Sequence, residues 1–183
     1  MTSSMTIARI RRNAVSVSIA HLAERLQNLE ANMDPSHLGL AKDIERQLNS
    51  LDSEFWKRHF AVIDLIDIDN DEALSREQEL LDHHDDLVSS LFVRIHLLQS
   101  SISTEIQRRK CLSELHCLQK KIRHIHDTVN SSTPEFRLHQ YAKTIRSYKA
   151  ELRKLSHESY TLDVSDSDEI YTLESQLEDV FNC

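Results

Sequence analysis

The chain has one glycine and two prolines in 183 residues. Strands joined by many tight turns need far more of both, so a sheet protein with many tight turns is not expected. Phosphate-cradling loops and dinucleotide-binding turns require several glycines at fixed spacing and are excluded on the same ground. Aromatic residues make up 5% of the chain, so any core is aliphatic and thin. Cysteine occurs only at Cys111, Cys117 and Cys183. An odd, sparse set without metal-type spacing predicts a reducing compartment, taken here as the cytoplasm, and no disulfide framework. No apolar run approaches the roughly 18–20 residues that cross a bilayer. The N-terminus carries no continuous apolar core of the secretory type, and its second residue is Thr2, where N-myristoylation needs glycine.

Net charge is −8 and the pI is about 5.7. An acidic protein has no global field that draws it to nucleic acid, so a nucleic-acid partner is not expected. The charge is unevenly spread. Residues 1–23 hold Arg9, Arg11 and Arg12 and no acid, whereas residues 64–86 hold ten acids. With Ile7, Ile10 and Val15 beside them, Arg9, Arg11 and Arg12 are candidates for a weak contact with an anionic membrane surface. A contact with the acidic segment of another subunit is the equal alternative.

What is present in abundance is self-similarity. The heptad Val15, Ile19, Leu22, Leu26, Leu29, Met33 returns 96 positions later as Cys111, Leu115, Leu118, Ile122, Ile125, Val129. A second stripe, Ala41, Ile44, Leu48, Leu51, Phe55, returns at an offset of 97 as Leu138, Tyr141, Ile145, Tyr148, Leu152. DNDEALSREQELLD (69–82) then matches DSDEIYTLESQLED (166–179). A period of this size indicates two copies of one supersecondary unit.

The spacing predicts a first helix over about residues 6–32, with a coiled-coil type seam. Asp34 followed by Pro35 reads as a cap and first position for a second helix. Asp69 and Glu72 read as a capping box for a third, and Asp166 and Glu169 repeat the device. No glycine or proline lies between residues 40 and 133, so the third helix is expected to run into the fourth, with QSSIST (99–104) as the weak point. The second unit repeats the plan after Pro134 and ends in a short helix from about Asp168. The expected fold is all-α: tandem antiparallel three-helix units of coiled-coil or bundle type, spectrin-like, sharing a long central helix. The expected divisions are a basic segment 1–14, a first unit 15–100 and a second unit 101–183.

Candidate chemistry is thin. Asp67, Asp69 and Asp71 occupy positions 1, 3 and 5 of a calcium loop, but Glu72 and Gln78 stand where such a loop needs glycine and a bidentate glutamate. His83, His84, Asp85 and Asp86 have metal-binding side chains without the repeated Glu-x-x-His pairs of a di-iron bundle, and they read as a solvated face. No nucleophile sits with a base, and no carboxylate pair is marked as acid and base. The expectation is a protein that is not an enzyme, with no catalytic residue, metal, cofactor or small-molecule substrate. The apolar positions Leu115, Leu118, Ile122, Ile125, Ile170, Leu173 and Leu177 are the expected seam for interaction between copies.

LNSLDSEFWKRHFAVIDLIDIDNDEALSREQELLDHHDDLVSSLFVRI (48–95), with Phe55, His59, the acidic turn DIDNDE and Asp86, resembles the N-terminal helical region of Gag polyproteins from BEL/Pao-type LTR retrotransposons. The resemblance implies a structural protein that self-associates through helical seams. It also implies that capsid-like, zinc-knuckle or protease modules lie beyond Cys183. The alternative expectation is a spectrin-like spacer or adaptor that tethers other proteins.

Overall fold

The computed structural model describes residues 3–67, 69–129, 133–162 and 167–182. Every regular element among them is helical. The first helix, α1, runs Ser4–Ala31. Its N-cap is Ser3, whose hydroxyl oxygen accepts from the Thr6 backbone N–H at 3.2 Å and so satisfies one of the free donors of the first turn. Asp34 behaves as a cap, accepting from the Ser36 N–H at 2.9 Å and from the Ser36 hydroxyl at 2.6 Å. It caps a short 3-10 turn, Pro35–His37, that leads into α2, Leu38–Ile63.

The next helix, α3, is continuous from Asp71 to Thr128, 58 residues. Its cap is Asn70, whose side-chain oxygen accepts from the Ala73 N–H at 3.1 Å. This corrects the expected capping box. Asp69 lies one position too early, its N–H turned toward the Asp67 carboxylate at 3.4 Å. Glu72 pairs with Arg76 one turn on. The serines of QSSIST do not break the helix. Ile102 is fully buried there, and Gln99 donates to Glu45 of α2 at 2.8 Å, so packing outweighs the weak local preference of serine for caps. The last two helices are α4, Glu135–Thr161, and α5, Ser167–Asn182. The cap expected at Asp166 and the residue Cys183 lie outside the described residues, as do the side chains of Leu138, Glu169 and Val180.

The chain divides into two compact units, 1–103 and 104–183. The basic segment 1–14 does not stand apart, because α1 already begins at Ser4. In the N-terminal unit, Val15, Ile19, Leu22 and Leu26 of α1 meet Ala41, Ile44, Leu48 and Phe55 of α2 and Val88, Leu91, Ile95, Leu98 and Ile102 of α3. Polar contacts give the register. Glu77 near the start of α3 receives Arg9 and Arg12 from the start of α1, and Arg94 meets Glu30 at the end of α1 with two hydrogen bonds of 3.0 and 2.6 Å. Thus α1 and α3 run in one direction here. Asp52 meets His84 and Glu45 meets Gln99, so α2 runs in the other.

In the C-terminal unit, Cys111, Leu118, Ile122 and Ile125 of α3 pack with Ile145, Leu152 and Leu155 of α4 and Ile170, Leu173 and Leu177 of α5. Burying one such aliphatic side chain stabilises a fold by about 1.5–3 kcal/mol. Ile102 and Cys111, the last core residue of one unit and the first of the other on α3, are nine positions apart. That interval does not continue the alternating steps of three and four, so the seam stops and restarts although the helix does not.

Candidate functional site

The helical stripes of the N-terminal unit are apolar along most of their length and polar at one end. One turn before Val15, the α1 stripe reaches Arg12. One turn after Phe55, the α2 stripe reaches His59. Going back from Val88, the α3 stripe reaches His84 and then Glu77. All four side chains are buried, with relative exposures of 3%, 2%, 5% and 3% in that order.

Arg12 donates from Nη1 to the Glu77 carboxylate in a close ion pair. Arg9 reaches the other carboxylate oxygen at 2.9 Å. The same Arg12 Nη1 lies 3.4 Å from His59 Nδ1. A guanidinium has donors only, so Nδ1 of His59 must be the acceptor and the ring proton resides on Nε2. Burial and then the adjacent Arg12 lower the His59 pKa, and His84 adds to the lowering, while Glu77 and Asp85 pull it upward. His59 is therefore held neutral. His84 forms a 2.9 Å hydrogen bond from Nε2 to Asp52 and stacks on Phe55, with the two rings 7° from parallel. The Phe55 ring also stacks with His59, 5.8 Å between centroids. The sole tryptophan, Trp56, stands edge-on to His59 at 6.5 Å. Arg12 Nε has no hydrogen-bond partner, which leaves the cluster with one unsatisfied donor.

This arrangement overturns two sequence expectations. Arg12 does not face an anionic surface. It lies on the buried stripe and is consumed by Glu77, Arg9 is paired with the same carboxylate, and only Arg11 of the three is fully on the surface. Of the HHDD run, His83, Asp85 and Asp86 are exposed, but His84 is in the core. The signal for the cluster was present, since each of its members continues an apolar stripe by a step of three, four or seven. At the offset of 97, Ser156 stands where His59 would recur and Lys149 where Asp52 would, so the sequence confines this cluster to the N-terminal copy.

In the C-terminal unit, the candidate interaction residues Leu118, Ile122, Ile125, Ile170, Leu173 and Leu177 are all buried in the core and Leu115 is partly buried against it. Within one chain they already cover one another, so they do not form an open seam. Cys111 is 2% exposed, and its thiol pKa is raised by burial and then by Glu158 and Glu114. It stays protonated, and so lacks the thiolate that makes a nucleophile. Beside it a cavity of about 390 Å³ carries Lys110, Glu114, Glu158 and Thr161 on its walls. Lys110 lies 3.7 Å from Glu114, which offsets charge of both signs within the lining. Cys117 is exposed, and neither it nor Cys111 is in a disulfide.

Among the described residues, no group of three or more His, Cys, Asp or Glu side chains is placed to hold a metal ion. No described helix is long and apolar enough to cross a membrane. The chain matches no family model, no curated protein and no solved structure.

Proposed function

We propose that the chain is a structural, non-enzymatic protein: two tandem three-helix units of spectrin-like type, acting as the self-associating helical region of a Gag-like polyprotein of BEL/Pao type. One observation carries the structural part of this reading. The long apolar stripes are spent on two aliphatic cores, each assembled from three helical segments. The sequence resemblance over 48–95 supports the Gag-like part. Because the expected seam is internal to each chain, association in this reading uses residues outside the two cores.

Light scattering of the 183-residue chain tests it. Dimers or larger species at micromolar concentration are the expected result, and a strictly monomeric mass over a hundredfold range of concentration excludes self-association. The spacer or adaptor reading is favoured by the unbroken α3 of 58 residues. A strictly monomeric mass is the result that reading requires.

A further inference from the structure

Where the start of α1, the end of α2 and the start of α3 meet, a neutral imidazole is wedged against a permanent cation. We propose that His59 is a proton-operated latch: a proton taken up by its ring expels it from Arg12 and opens this end of the N-terminal unit in mildly acidic solution.

The groups that face the ring are few, and all three helices supply them. From α1 come Arg12, 3.4 Å from Nδ1, and Arg9, which shares Glu77 with it. From α3 come Glu77, His84 and Asp85. On α2 itself, Asp52 is engaged by His84, and Arg58 turns away to donate to the Arg11 carbonyl at 2.6 Å. A proton added at Nδ1 turns the acceptor into a donor that faces another donor, so the contact has no bonded form. It also sets a third cation beside one carboxylate, since Glu77 already serves Arg9 and Arg12. Around a ring that is 2% exposed, that excess charge is costly and the ring must leave. His84 is placed differently, with its Nε2 bonded to Asp52 at 2.9 Å and not facing a guanidinium.

The sign of the pH effect follows. The unfolded chain binds a proton at this residue below about pH 6.5, the ordinary value for histidine, whereas the folded unit refuses it until lower pH. Stability contributed by neutral His59 is therefore complete above pH 6.5 and declines as the pH falls from there toward the lower folded value.

Trp56 is a built-in reporter, since it is the only tryptophan and its ring meets that of His59. The experiment is a fluorescence and thermal-melting titration of the 183-residue chain from pH 8 to pH 5, with His59→Gln alongside. Glutamine still offers Arg12 an acceptor oxygen and does not titrate. The expected result is a Trp56-reported melting temperature lower by about a few degrees at pH 5.5 than at pH 7.5 in the wild type, with most of that fall lost in H59Q. An equal fall in both proteins overturns the latch. If H59Q does not fold, imidazole NMR of the wild type decides. His59 should remain neutral while exposed histidines charge, and should protonate together with the change in Trp56 emission. A His59 that protonates near pH 6.5 with Trp56 emission unchanged also overturns it.

Discussion

Arg12 and Glu77 show how little a residue's type says about its place. Each is charged, and each is at most 3% exposed. Such a pair does not owe its place to net stability, because the desolvation of two ions offsets most of their attraction. Its breakage is the costly event. Glu77→Leu leaves Arg12 buried without a carboxylate and should cost about 3–5 kcal/mol. Arg12→Met leaves Glu77 with Arg9, which is partly exposed, and should cost less. The double variant should be closer to wild type than the sum of the two. Urea unfolding of the three variants checks the order, and additivity of the two single effects would refute the coupling.

At the scale of the element, caps and backbone freedom set helix boundaries that the stripes leave loose. Asp34 holds the turn before α2 through two bonds to Ser36, so Asp34→Ala should destabilise by about 1 kcal/mol. Gly39 lies in the first turn of α2, with nothing within 4 Å of the position a Cβ would take. Gly39→Ala should therefore stabilise by about 0.5–1 kcal/mol, through helix propensity and a less flexible unfolded chain. Thermal melts of both variants at one pH test the pair. Helix positions and most of the core were legible at this scale, because Val15, Ile19, Leu22 and Leu26 and their counterparts repeat at steps of three and four. The cap on Asn70 was not legible. Asn70 and Asp69 are equally good cap residues, and only the path of the loop selects which one points at the Ala73 N–H.

For the whole molecule, the question is whether apolar stripes serve one chain or several. Leu118 and Ile122 are fully buried within a single copy. Leu118→Ala should therefore lower the stability of the C-terminal unit by about 2–5 kcal/mol and leave the molar mass of the folded protein unchanged at a given concentration. A variant that keeps its stability but loses mass in light scattering would place Leu118 between copies instead.

The sequence alone determined the class of the fold. One glycine, two prolines and apolar residues at heptad spacing leave helices as the way to bury these side chains, since the period of the pattern is a property of the backbone and needs no partner to be read. Tertiary structure decided which partner each stripe takes. It turned the expected seam of Leu118, Ile122, Leu173 and Leu177 inward, because segments of the same chain reach those residues first and at no cost in association entropy. It also drew Arg12, His59, Glu77 and His84 into one core. Each stands on a stripe that a single helix can show, but the neutral state of His59 depends first on its burial and then on Arg12 from another helix lying 3.4 Å away. Such a distance between residues 47 positions apart exists only after folding.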